Sequence, residues 1–130
     1  MKKPPSLFQN KIFQAHSGQI LKWKIEADAL TDEDWKWAAA RTAEKFTFHS
    51  VIGIPRGGLK FATFLMPFCQ ISGKHTLIVD DVLTTGASMI EARRQLLLEE
   101  GIKPTIGVVL FSRTTLDKNF WVKSIFTFWE

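Results

Sequence analysis

Asp80 and Asp81 stand side by side after the apolar run Leu77-Ile78-Val79, and Thr84-Thr85-Gly86-Ala87-Ser88 follows almost at once. Adjacent carboxylates can accept hydrogen bonds from hydroxyls and stabilise a developing positive charge. The small-residue stretch supplies three hydroxyls and, if it opens a helix, unpaired backbone N–H groups at the positive end of the helix dipole. That is a cradle for an anion such as phosphate. A carboxylate pair beside a phosphate cradle suits a ligand with vicinal hydroxyls and a phosphomonoester, the combination found in ribose 5-phosphate. A second candidate loop is Pro55-Arg56-Gly57-Gly58. Its glycines let backbone N–H groups come close to a ligand, and the Arg56 guanidinium has a fork that fits phosphate oxygens.

The elements that must position these loops are legible. Thr76–Asp80 reads as a strand buried on both faces, because Leu77, Ile78 and Val79 are branched and apolar. Its acids then lie at the strand's C-terminal end, where open α/β sheets place their ligands. A helix is expected over Gly86–Glu100, stopped by Gly101. Ser50–Ile54 is a short strand that runs into Pro55-Arg56-Gly57-Gly58, and Leu59–Phe68 a helix that Pro67 helps to end. Thr105–Phe111 and Ser124–Phe128 are further strands. This order implies an α/β fold with a parallel sheet and right-handed crossovers.

Upstream, Leu21, Trp23 and Ile25 alternate with charges, a half-buried strand. With Lys11–Gln14 and the intervening Ser17-Gly18 it forms a hairpin pattern. Thr31 starts a helix, with Asp34 placed for a capping box, and Trp35, Ala38, Ala39, Ala43 and Phe46 give that helix one apolar face. Residues 1–10 read as a tail to a single domain over residues 1–130.

Taken together, the strand, the acid pair and the Thr-Thr-Gly-x-Ser turn at residues 76–88 resemble the signature of type I phosphoribosyltransferases. The resemblance implies a Rossmann-like parallel core with a small N-terminal β hood. It also implies roles. Asp80 and Asp81 would hold the ribose hydroxyls of phosphoribosyl pyrophosphate (PRPP), and Thr84, Thr85, Gly86, Ala87 and Ser88 its 5-phosphate. Pro55, Arg56, Gly57 and Gly58 would hold the pyrophosphate. Mg²⁺ would arrive with PRPP near Asp80 and Asp81, with no all-protein metal cage. The opening segment, Phe13 to Glu26, is similar to that of orotate phosphoribosyltransferases. There the family's lysine after the Ser-Gly turn falls at Ile20, so Lys22 becomes the base-binding candidate. Arg113 matches the arginine of that family's Asp-Arg pair, with Ser112 in place of the aspartate.

The pattern departs from the family between its two main motifs. Only residues 59–75 separate them, leaving no room for the long loop that closes over PRPP. A lid excludes water from an oxocarbenium-like centre and supplies charge to the leaving pyrophosphate. The expected activity is transfer of ribosyl 5-phosphate from PRPP to a nucleobase, orotate or a related pyrimidine, with release of pyrophosphate. The alternative is a regulatory module that binds PRPP or a nucleotide without turnover. A hydrolytic enzyme acting on another phosphorylated ribose is a third reading.

Composition narrows the classes. A chain of 130 residues with 45% hydrophobic content can bury a core, and disorder is excluded as its main state. Cys69 is the single cysteine and the three histidines are scattered, so neither a disulfide nor a structural zinc cluster is expected. No apolar run reaches membrane-span length, and a cytoplasmic protein is expected. The net charge of +4 is spread out, which suits a polyanionic small molecule and gives no dense patch for nucleic acid. The resemblance implies a homodimer. The aromatic run from Phe120 to Trp129 could either serve that interface or fill the core.

Overall fold

The computed structural model describes residues 8–9, 13–14, 20–21, 24–25, 29–100, 104–113 and 115–127. Two antiparallel pairs come first: β1 (Phe8–Gln9) with β4 (Lys24–Ile25), and β2 (Phe13–Gln14) with β3 (Ile20–Leu21). The nested pairing is that of a hairpin. Phe8 and Gln9 lie within the stretch expected as a tail, yet they pair with Ile25 and Lys24.

Helix α1 (Asp32–Lys45) begins at a complete capping box. Thr31 Oγ1 accepts from the Asp34 N–H at 3.2 Å, and Asp34 Oδ2 accepts from the Thr31 N–H at 2.9 Å. Such a cap stabilises a helix by about 1 kcal/mol. Strand β5 (Phe48–Gly53), α2 (Gly57–Leu65), a 3₁₀ turn at Met66–Phe68, β6 (His75–Leu83), α3 (Ala87–Glu100), β7 (Thr105–Ser112) and β8 (Val122–Thr127) follow. The last four strands form one parallel sheet in the order β5-β6-β7-β8.

Period-2 alternation sends neighbouring residues to opposite faces of the sheet. Leu77 and Val79 of β6, with Val108 and Leu110 of β7, pack against Trp35, Ala38 and Ala39 of α1 and Phe61, Ala62 and Leu65 of α2. Ile78 and Val109 face the other way, against Met89 of α3. Trp35 and Phe61 meet with ring centroids 5.5 Å apart and are both buried. Truncating a side chain of that size in a packed core costs about 3–5 kcal/mol.

This layering corrects one expectation. Helices α2 and α3 cover opposite faces, while β5, β6 and β7 step across the sheet in a single direction. Two crossovers that move the same way over opposite faces have opposite hands, so one of them is left-handed. Right-handed parallel crossovers make up about 98% of cases. The sequence carries no sign of the exception, because handedness depends on which face a helix settles on.

Of the C-terminal aromatics, Phe120 and Phe126 stay 37% and 42% exposed. Phe126 stacks on Trp37 and on Phe111, at 5.5 and 5.6 Å. Trp121 lies under the Arg93 guanidinium, 4.7 Å from its ring centroid.

Candidate functional site

Strand β6 runs further than its sequence suggests. The acids were expected to end it, but hydrogen-bonded pairing with β7 continues through Leu83, with Asp80 opposite Val109 and Val82 opposite Phe111. What ends at the acids is the neighbouring strand. The last pair of β5 with β6 is Gly53 opposite Val79, and the Ile54 N–H donates to the Val79 carbonyl at 2.9 Å. From Asp80 onward β6 is flanked by β7 on one side only, and the turn into α2 fills the other.

That turn approaches very closely. A Cβ on Gly58 would lie 2.3 Å from the Val79 carbonyl oxygen, and a Cβ on Gly57 would lie 2.1 Å from Asp81 Oδ2. At Gly58 the obstacle is backbone, so only glycine lets the start of α2 rest on β6, while a side chain at Gly57 would displace the Asp81 carboxylate. The peptide bond between Pro55 and Arg56 is cis. Arg56 occupies the N-cap position of α2 without a side-chain capping bond, and its side chain is exposed. Helix α2 thus starts at Gly57, two residues before the expected Leu59, which makes the two glycines part of its first turn. It ends at Leu65, with Pro67 inside the 3₁₀ turn that follows.

Both carboxylates fold back on the chain. Asp80 Oδ1 accepts from the Asp81 N–H at 2.8 Å, and Asp81 Oδ1 from the Val82 N–H at 2.7 Å. Burial, and secondarily the hydrogen bond and charge of Asp81, push the Asp80 carboxyl up to about 8. Asp80 is therefore largely protonated at neutral pH in the ligand-free protein. Two consecutive acids after an apolar run were a visible signal for this, since one of the pair must share the strand's burial.

The turn after β6 is built as the sequence indicated, with one shift. Helix α3 starts at Ala87, and Gly86 stands before it with φ +82°, a conformation that favours glycine. Thr85 Oγ1 accepts from the Ala87 N–H at 3.3 Å, and the Gly86 carbonyl accepts from the Ile90 N–H at 2.9 Å. Thr84 to Ser88 therefore sit at a helix N-terminus directly beyond the acids. Arg113 is 6% exposed, and its N–H donates to the Leu83 carbonyl at 3.1 Å, which ties it to the same end of the sheet. Lys22 lies outside the described residues. No cluster of three or more His, Cys, Asp or Glu able to hold a metal occurs among the described residues.

The comparisons with known proteins meet this geometry. The phosphoribosyl transferase domain family matches residues 68–128, a span containing β6, the acid pair, the turn into α3 and Arg113. The chain is similar in sequence to phosphoribosyl transferase domains over residues 68–128. Its fold is that of the orotate phosphoribosyltransferases, in a compact form: only Met66–Lys74 lies between α2 and β6. It is similar to orotate phosphoribosyltransferase from Aeropyrum pernix, with a TM-score of 0.69 at 21% identity over 93% of this chain and 88% of that one. It is also similar to Leishmania donovani UMP synthase, with a TM-score of 0.73 at 18% identity over 93% of this chain and 33% of that one. In sequence, it is 43% identical over 53 residues to the transcriptional regulator GfcR 2 of Methanosarcina barkeri (strain Fusaro / DSM 804). That stretch is 41% of this chain and 26% of the regulator, so the chain spans a minor part of the regulator and of the UMP synthase. No helix among the described residues is long and apolar enough to cross a membrane.

Proposed function

We propose that this chain binds PRPP at the rim formed by Pro55–Gly58, Asp80–Asp81 and Thr84–Ser88, and transfers its ribosyl 5-phosphate to a nucleobase. The observation that carries this reading is the contact of Gly57 with the Asp81 carboxylate, beside the N-terminus of α3. One ligand lying across that junction would meet a diphosphate loop, two hydroxyl acceptors and a phosphate cradle in turn. Orotate or a related pyrimidine is the proposed acceptor, with Arg113 and Lys22 as its binding residues. The likeness in fold to orotate phosphoribosyltransferases supports that choice.

In the reaction the bond from ribose C1 to pyrophosphate oxygen breaks. A ring nitrogen bonds to C1 and loses its proton, and the diphosphate leaves. Asp80 and Asp81 accept hydrogen bonds from the ribose hydroxyls and offset the positive charge that grows at the sugar. Arg56 and the Gly57 and Gly58 N–H groups receive charge on the departing pyrophosphate. The N–H groups at the start of α3, with the hydroxyls of Thr84, Thr85 and Ser88, hold the 5-phosphate.

The acid pair offers hard oxygen donors of the kind Mg²⁺ prefers, and no third protein ligand joins them among the described residues. Mg²⁺ held mainly by diphosphate and water, near Asp80 and Asp81, fits that donor set. Its chemistry would be to neutralise diphosphate charge. A bound cation would also return Asp80 to its ionised form.

A second reading is a regulatory module that binds PRPP or a nucleotide without turnover. The stretch identical in part to a transcriptional regulator supports it, as does the short connector where a lid would arise. The two readings part in one assay: pyrophosphate release from PRPP with Mg²⁺, screened over orotate, uracil and purine bases. Base-dependent release is expected. PRPP binding by calorimetry with no release for any base would replace transfer with the regulatory reading, and no binding at all would sink both.

A further inference from the structure

A cavity of about 620 Å³ lies between the last turns of α1 and the first residues of β8, with Val108 of β7 in its wall. Helix α1 leads directly into the start of β5, and β8 runs parallel to the other strands of the sheet. The cavity therefore faces the end of the sheet opposite the rim. No residue of Pro55–Gly58, Asp80–Asp81 or Thr84–Ser88 lines it. A space of this size holds a molecule as large as a nucleotide.

Its two ends differ in chemistry. Toward the rim it is bordered by Trp37, whose ring stacks on Phe126 at 5.5 Å, and Phe126 stacks in turn on Phe111 at 5.6 Å. Val108 and Ile125 continue that apolar surface along the sheet. At the other end three lysines line the cavity: Lys45 in the last turn of α1, Lys118 in the connector before β8, and Lys123 on β8. The alternation of β8 places Lys123 on the same face as Ile125, the face that α1 covers. Lys123 is half-buried there, and its Nζ donates to the Lys118 carbonyl.

The charge at that end is not balanced. Of the two acids in the lining, Glu44 is paired with Arg41 at 2.8 Å, and Asp117 Oδ1 accepts from the Asn119 N–H at 2.8 Å. Among the described residues no carboxylate lies within ion-pair distance of Lys45, Lys118 or Lys123. Lys45 has an ordinary structural use at the negative end of the α1 dipole, and Lys118 is an exposed, solvated charge. Lys123 has neither excuse. A lysine that blunts a sheet edge carries its ammonium out to water, whereas Lys123 holds it at the cavity wall. A half-buried ammonium beside two further cations costs free energy that a bound anion would offset.

We propose that this cavity binds an organic anion with an apolar body. The body lies against Trp37, Val108 and Ile125, and the phosphate or carboxylate sits among Lys45, Lys118 and Lys123. From Trp37 to Lys45 the wall formed by α1 is roughly 12 Å long. An inorganic ion would use only the lysine end, and a wholly apolar molecule would leave the lysines without a counter-charge. A nucleoside monophosphate and a medium-chain aliphatic carboxylate share the required chemistry. The site is separate from the rim and stands or falls apart from PRPP binding.

The probe is anilinonaphthalene sulfonate, planar rings bearing one anionic group, titrated by fluorescence into the full chain. Saturable binding is expected, and Lys45→Gln and Lys123→Gln should each raise its Kd about tenfold. Phenylnaphthylamine, the same rings without the sulfonate, should respond to neither substitution. Lys45 is exposed, so its replacement keeps the core and the test holds on that variant alone should Lys123→Gln fail to fold. Probe affinity should be unchanged in Asp80→Asn/Asp81→Asn, which separates the cavity from the rim. Uridine monophosphate and decanoate then compete for the site, and the more potent competitor gives the source of the anion. The proposal is overturned by an absence of saturable binding or by an affinity indifferent to Lys45→Gln. Loss of binding in the aspartate pair, or displacement by neither competitor, overturns it too.

Discussion

Gly57 has no room for a side chain because the Asp81 carboxylate occupies the position its Cβ would take, with both carboxylate oxygens and Cγ within 2.5 Å of it. One residue on, Gly58 lies as tightly against the Val79 carbonyl, but there the obstacle is backbone in the middle of a paired strand. The start of α2 and the acid-bearing part of β6 are therefore one packed unit.

The two glycines should respond differently to alanine. In Gly57→Ala the Asp81 side chain must swing away, giving up its bond to the Val82 N–H. PRPP affinity is expected to fall by about tenfold or more, with a small loss of stability. In Gly58→Ala the helix must lift from the strand, and unfolding in urea should show a loss of about 1–3 kcal/mol. Calorimetric titration beside urea midpoints checks both. Equal losses of binding and stability in the two variants would contradict the separation.

Asp80 makes stability depend on pH in a set direction. Its carboxyl titrates near 8 in the folded chain against 3.8 for the ordinary aspartate. Between those values the folded state holds a proton that the unfolded state has lost, so stability falls as pH rises from about 4 to about 8. Asp80→Asn keeps the shape without the charge. It should be more stable than the wild type at pH 8, on the order of 1–3 kcal/mol, and near parity at pH 4. Thermal melts of both proteins over that range decide it, and parallel curves would mean Asp80 ionises freely when folded.

The paired substitution Asp80→Asn with Asp81→Asn removes the charge that PRPP and Mg²⁺ would meet. PRPP affinity in the presence of Mg²⁺ should drop by about a hundredfold or more. Because Asp80→Asn is not expected to weaken the fold, a loss of binding without a fall in melting temperature at neutral pH points to the ligand site. Unchanged affinity would remove the acids from the site.

Arg113→Ala probes the acceptor end. Arg113 is buried and its backbone is fixed to the end of β6, so some loss of stability is expected. The discriminating readout is the pair of affinities: base binding in the presence of PRPP should weaken about tenfold or more while PRPP binding alone is kept. A parallel loss of both would make Arg113 a structural residue.

Much of this protein could be read along the chain, and the reasons are local. Leu77, Ile78 and Val79 announce a buried strand by their shape, and Thr31 and Asp34 announce a helix start by their spacing. Gly86 marks a turn that needs a positive φ. The acid pair and the Thr-Thr-Gly-x-Ser turn carry the resemblance to phosphoribosyltransferases because their chemistry sits in one uninterrupted stretch. What the sequence could not decide was every property set by a neighbour distant in the chain. The adjacent Asp81 signals the direction in which Asp80 shifts, but the burial that does most to raise its carboxyl comes from the walls around it. Gly57 and Gly58 are constrained by Asp81 and Val79, more than twenty positions away. The left-handed crossover follows from the faces on which α2 and α3 settle. Local propensity fixes an element; which face it buries, and what it leaves uncovered, is decided only when the elements pack.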